Sequence, residues 1–478
     1  MNKSEFMNND ISRHHLFSSR IAVDFSSWRK NHLSDKTFVL LLAGVVGLLT
    51  GVGAFVMKRL VSGLSVGLTS HLRVDSGNPT LLLLPIVGIV LTGIFCRYVI
   101  GMNLANGTSR LMKRLRHHVY KLKRRLIISP VIASVITLGF GGSGGTEDPI
   151  ACAGAALGSN VARRFGLSPR QMLTMIGCGA CGSIAGIFKS PLGGVIFVVE
   201  VLRLPLTAFS LISLFVAAIV ASSVAFLLSG GVPDVAMRTD EAFDVATLPS
   251  VILLGIVCGV YSIYYRLVMK RVARRFDGIS NPWIKNLTGG CLLAVLVFLL
   301  PPLYGEGYAV VDAVVNGDFA PLLADSLYYK YGVGGSGNGD EAWILIAVGG
   351  AIVATKCVAT SITGNSGGVC GDFAPTLFAG CMLGFTVGTL IETAFGLHID
   401  VCRFAFFGMA GVMAGVIRAP LMAMFLTCEM TAAYGLFLPL MFVAVTSSTV
   451  VRLFTADSFY ARTADRNNGL ISRLRRKF

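Results

Sequence analysis

The sequence predicts an all-α polytopic membrane protein built from two related halves, and three observations carry that reading. Apolar residues make up 54% of the 478 and charged residues only 14%, where a soluble domain carries about 25% charge, and mean hydropathy is +0.71. Apolar stretches recur along the chain, most of them approaching the roughly 20 residues that span hydrocarbon as helix. A proline-centred pattern then occurs twice.

The long stretches are 38–57, 81–100, 209–229, 250–266, 288–303, 343–363 and 436–454. Between them lie 128–140, 150–162, 171–188, 191–202, 376–390, 404–416 and 420–434, which read as too short or too glycine-broken for ordinary spans. These predict half-crossing or interrupted helices. Non-helical backbone at membrane depth is tolerated only where protein or a watery cavity satisfies its polar groups, so a pathway is implied.

A net charge of +16 raises the question of nucleic acid, but the cations gather at the termini and in a few connections rather than on one folded face. Membrane topology accounts for them better, and no nucleic-acid partner is expected. Residues 1–37, the run Arg110 to Arg125, the group Lys270, Arg271, Arg274 and Arg275, and the tail Arg473 to Lys477 are expected to face the cytoplasm. The stretch 304–341 has one Lys, no Arg and six acids from Glu306 to Glu341, which places it outside. Both termini then lie inside.

Eleven cysteines sit almost entirely in apolar segments, which argues against a secreted disulfide framework. Cys178 and Cys181 form a C-x-x-C, yet the surrounding Gly-Cys-Gly-Ala-Cys-Gly reads as small residues for close helix packing rather than as a redox or metal pair. No metal or cofactor is expected. The first 36 residues are polar, with no apolar core of a cleavable signal.

The internal repeat is specific. Gly186-Ile-Phe-Lys-Ser-Pro191-Leu192 with Glu200 nine residues past its proline is echoed by Gly415-Val-Ile-Arg-Ala-Pro420-Leu421 with Glu429 nine past its own. Upstream of each stands a Gly-x-x-x-Pro, Gly145 to Pro149 and Gly371 to Pro375, at proline spacings of 42 and 45. The chain divides into a polar segment 1–36, a first membrane repeat 37–230, a connection 231–247, a second repeat 248–464 and a basic tail 465–478.

Gly139-Phe-Gly-Gly-Ser-Gly-Gly-Thr-Glu147-Asp148-Pro149 opens onto a small-residue helix, and Gly367-Gly-Val-Cys-Gly371-Asp-Phe373-Ala-Pro375 repeats the design. Proline suits the first helical turn, and a helix N-terminus offers unpaired N–H donors and about half a positive charge. Two such ends converging at mid-membrane make an anion site that needs no buried Lys or Arg. Glu147 lies where that anion would be welcome. Ionised, it can occupy the anion position; protonated, it can swing away and let the anion through. The plainer alternative is a structural capping carboxylate, and Asp148 either shares the task or caps the helix.

These elements resemble the CLC family of chloride channels and transporters, over about residues 37–464. Gly145-x-Glu147-x-Pro149 resembles the family's G-R-E-G-P element, whose glutamate is the gate, and Gly371-x-Phe373-x-Pro375 its G-x-F-x-P element. The resemblance implies a CLC-like fold of two inverted-topology repeats with many tilted, partly broken helices. It also implies that Phe373 and the backbone amide of Asp372 bound the anion pathway. Asp457-Ser-Phe-Tyr460 looks like the late segment whose tyrosine hydroxyl coordinates the central anion, a role passing to Tyr460. Ile417-Arg-Ala-Pro420 and Glu429-Met-Thr431 resemble structural positions of the family.

Three departures stand beside these matches. The family's G-S-G-I-P element is absent, and Asn106 falls nearest its serine, with Thr108 and Ser109 as alternative ligands. Thr146 and Asp148 replace the Arg and Gly around the gate, which removes one positive charge and adds one negative. Val201 stands where family exchangers commonly carry an inner glutamate, leaving adjacent Glu200 as the candidate for a proton pathway with Glu147.

An intramembrane enzyme is the rival from another class. It would need a nucleophile with a base, or metal ligands, at membrane depth, whereas His14, His15, His32, His71, His117, His118 and His398 all lie in termini, loops or segment ends. The expected function is therefore glutamate-gated movement of chloride or a related inorganic anion, channel-like or loosely proton-coupled, with a strictly coupled chloride/proton antiporter as the alternative. The expected setting is a homodimer in the lipid bilayer of a bacterial inner membrane.

Overall fold

The computed structural model describes residues 34–69, 80–205, 207–233, 235, 237, 247–324 and 341–455. Among these the secondary structure is helical apart from one isolated bridge. The first half contains α1 (Asp35–Thr69), α2 (Thr80–Ile94), α3 (Gly107–Arg116), α4 (Ser129–Gly139), α5 (Glu147–Arg164), α6 (Pro169–Phe188), α7 (Pro191–Ile196) and α8 (Ala208–Leu228). The second contains α9 (Leu248–Asp277), α10 (Pro282–Leu299), α11 (Tyr308–Val315), α12 (Ala320–Ala324), α13 (Glu341–Ser366), α14 (Phe373–Phe395), α15 (Val401–Ile417), α16 (Pro420–Thr431) and α17 (Phe437–Phe454).

Nine helical segments among the described residues are long and apolar enough to cross a membrane, which makes this a multi-pass integral membrane protein. Two of them correct the sequence expectation. Segments 171–188 and 376–390 lie within α6 and α14, unbroken helices of 20 and 23 residues. Their small residues do not interrupt the helix; they bring neighbours close. A Cβ at Gly154 of α5 would lie 2.2 Å from the Gly179 carbonyl oxygen of α6, and one at Gly380 of α14 would lie 2.2 Å from that of Gly408 on α15. Backbones this near lock helices by packing where no aqueous hydrophobic force operates. Cys178 and Cys181 are also buried in α6, the Cys181 thiol donating to the Leu214 carbonyl of α8 at 3.6 Å. By contrast α4, α7 and α16 are short, as expected, at 11, 6 and 12 residues.

The repeated Pro…Glu pattern has a structural reason. Glu200 accepts hydrogen bonds from the Met422 and Leu421 amides (2.9 and 3.4 Å) at the start of α16. Glu429 in turn accepts from the Gly193 and Leu192 amides (3.1 and 3.3 Å) and the Ser190 hydroxyl (2.5 Å) at the start of α7. Each half thus supplies a carboxylate to the positive end of the other's short helix. That arrangement satisfies N–H groups left open by a helix start inside protein.

Candidate functional site

The two Gly-x-x-x-Pro loops meet. Gly145 N–H donates to the Gly371 carbonyl (3.0 Å) and Gly371 N–H to that of Gly145 (2.7 Å), an antiparallel bridge that joins the start of α5 to the start of α14. Glu147 folds back over this bridge. Its side chain is wholly buried, and a Cβ at Gly145 or Gly371 would sit 2.0 or 2.9 Å from its Oε2. Glycine at both positions is therefore what makes room for the carboxylate.

Glu147 Oε1 accepts from the Ala374 amide at 3.1 Å and from the Tyr308 hydroxyl at 3.3 Å. Oε2 is buried with no hydrogen-bond partner among the described residues. The carboxylate of the first half thus occupies the helix start of the second, taking a backbone donor of the kind an anion would take. The donor is the Ala374 amide, two residues beyond the Asp372 amide that the sequence singled out. Asp372 is the N-cap of α14 and makes no side-chain cap bond. Phe373 is buried and packs edge-on against Phe197 of the first half, with centroids 5.7 Å apart.

Asp148 is buried beside Glu147 and accepts from the Thr108 hydroxyl of α3 at 2.8 Å. Thr108 and Ser109 are buried, whereas Asn106 is exposed at the N-cap of α3 in a left-handed conformation (φ 53°) with no side-chain cap bond. Of the three candidate ligands in this stretch, Asn106 is exposed and Thr108 reaches the start of α5 through Asp148. A cavity bounded by Gly107, Arg110, Arg114, Pro149, Cys152 and Cys370 lies against the same helix start. Glu200 is far from this cluster in role, held as the cap of α16. Tyr460 lies outside the described residues.

Sequence reasoning missed three side chains here. Glu306, from the connection between α10 and α11, accepts from both the Thr146 amide (3.0 Å) and hydroxyl (2.7 Å). Tyr308 stands two residues on. Lys356 of α13 is wholly buried, donating to the Gly305 carbonyl at 3.4 Å with its Nζ 4.5 Å from the Phe378 ring centre. The signals were available: a Gly-Glu-Gly directly after an apolar span, and a single cation inside one.

Inverted halves, two facing helix starts and a carboxylate lodged between them define an ion-conducting or ion-exchanging membrane protein. Residues 88–452 match the family described as voltage gated chloride channel, and the chain belongs to that family, the CLC proteins. It is 27% identical over 450 residues to the H(+)/Cl(-) exchange transporter ClcA of Salmonella arizonae, covering 89% of this chain and 88% of that one. Its fold is similar to that of a slow cyanobacterial Cl-/H+ antiporter (TM-score 0.75, 22% identity, 91% of this chain and 98% of the other). A CLC-type fluoride/proton antiporter is also similar (TM-score 0.67, 21% identity, 87% and 96%).

Proposed function

We propose that the chain carries chloride across a membrane through a pathway formed within each subunit and gated by Glu147. The observation that carries this reading is the Glu147 carboxylate seated on the Ala374 amide at the start of α14. An ionised carboxylate there excludes an anion by occupying its donor; a protonated one loses its charge-assisted bond and yields the place. Arg110 and Arg114 on the cavity wall support anion approach from the α3 side. Phe373 forms an apolar wall of the pathway, with the Asp372 amide, the Thr108 region and Tyr460 as further anion contacts.

Coupling to protons has two forms in this reading. The first is channel-like or loosely coupled transport, supported by Val201 and by the engagement of both Glu200 oxygens in capping α16. A proton routed through Glu200 would have to release that cap. The second is strict exchange, supported by the naming of relatives such as ClcA as exchange transporters. The subunit works in a homodimer in a bacterial inner membrane, with both termini cytoplasmic. Chloride efflux from liposomes holding the purified chain, with and without a pH gradient, tests the reading. Uphill proton movement driven by chloride selects the second form, and absence of chloride flux contradicts both.

A further inference from the structure

Lys356 stands midway along α13 with none of its surface exposed. A lone ammonium so placed is costly unless opposite charge or dipoles face it. The Gly305 carbonyl and the Phe378 ring supply part of that, and the carboxylate of Glu306 follows Gly305 directly in the chain. Glu306 in turn holds the amide and hydroxyl of Thr146, the residue before Glu147. A line of charges therefore runs from α13 through the Gly305–Glu306 connection to the helix start of α5.

We propose that Glu306 and Lys356 are a built-in pair of positioning residues whose opposed charges set the pH at which Glu147 releases the pathway; this rests on the reading of Glu147 as a proton-operated gate. An anionic neighbour favours the neutral form of a carboxyl and a cationic neighbour the ionised form. Glu306 thus promotes proton uptake by Glu147, and Lys356 restrains it. Other titratable and charged groups around this cluster are Asp148 of α5, Asp372 at the start of α14, Arg110 of α3, Tyr308, Cys370 before α14, and Lys58 of α1, whose Nζ lies 5.5 Å from the Tyr308 ring centre. All of these stay in place in the variants below.

Chloride efflux from liposomes holding the full chain is measured against external pH for wild type, Glu306→Gln, Lys356→Met and the double variant. The pH of half-maximal flux should fall by roughly one unit in Glu306→Gln and rise by a similar amount in Lys356→Met. In the double variant, which removes both charges together, it should return close to wild type. Where Glu306→Gln does not reconstitute, Thr146→Val is read in its place; it loosens Glu306 without altering any charge, and its midpoint should move in the direction of Glu306→Gln. Where Lys356→Met does not, Lys356→Gln, which keeps a polar donor for the Gly305 carbonyl, is read for the rise. Unshifted midpoints, or shifts of the same sign in the two single variants, overturn the inference. In that event the gate reading stands as long as Glu147→Gln abolishes the pH response. A pH response that survives Glu147→Gln removes the gate reading and the inference with it.

Discussion

The two Gly-x-x-x-Pro helix starts share a backbone and differ in what fills them. At the start of α5, the Thr146 amide is held by Glu306; at the start of α14, the Ala374 amide is held by Glu147. The residue two places after each bridging glycine is Glu147 in one half and Phe373 in the other. One duplicated geometry thus carries a buried carboxylate on one side and a buried aromatic ring on the other. The difference teaches that the backbone donors are the part the two halves share, and the side chains laid over them are what sets the halves apart.

The comparison breaks most visibly at its glycines. Gly145→Ala puts a Cβ 2.0 Å from Glu147 Oε2, a movable side-chain end, whereas Gly371→Ala also meets the Asp148 backbone nitrogen at 3.0 Å. The first should displace the carboxylate and raise chloride efflux at neutral pH by about tenfold, an amount set by the loss of one charge-assisted hydrogen bond. The second should lower the yield of folded protein as well, read by size-exclusion recovery in detergent.

A weaker perturbation compares the reciprocal caps. Glu200→Gln and Glu429→Gln should each lower stability by about 1–2 kcal/mol, measured by thermal unfolding in detergent. Glu429→Gln should cost more, because that carboxylate also takes the Ser190 hydroxyl. Equal chloride flux at saturating acid in Glu200→Gln and wild type would sharpen its assignment as a cap. Smaller still is Thr146→Val, which removes the 2.7 Å hydroxyl bond to Glu306 and keeps the amide bond. Its half-activation pH should move down by a few tenths of a unit, less than in Glu306→Gln.

Much of this was legible in the primary structure because it is written in local pattern. The Pro191/Glu200 and Pro420/Glu429 pairs revealed the duplication, and hydropathy alone required a membrane. Segments 171–188 and 376–390 were underestimated because glycine was read as a helix breaker; in α6 and α14 it serves close packing, where a Cβ would collide with a neighbouring carbonyl. Counting along the chain puts Asn106 nearest the family's serine; it is exposed at the N-cap of α3, and it is the buried Thr108 that reaches Asp148. Glu306 was grouped with the acids of an outer loop, since nothing local ties it to Thr146, 160 residues away. Lys356 was lost in the average of an apolar span. Contacts between distant segments leave no periodicity to read.

The central claim is that the Glu147 carboxylate competes with chloride for the helix start of α14. Chloride efflux from liposomes, recorded from acid to alkaline pH for wild type and Glu147→Gln, tests it most directly. The account predicts wild-type flux that rises as pH falls, and Glu147→Gln flux that is high at every pH. Wild-type acid dependence retained in Glu147→Gln would contradict it.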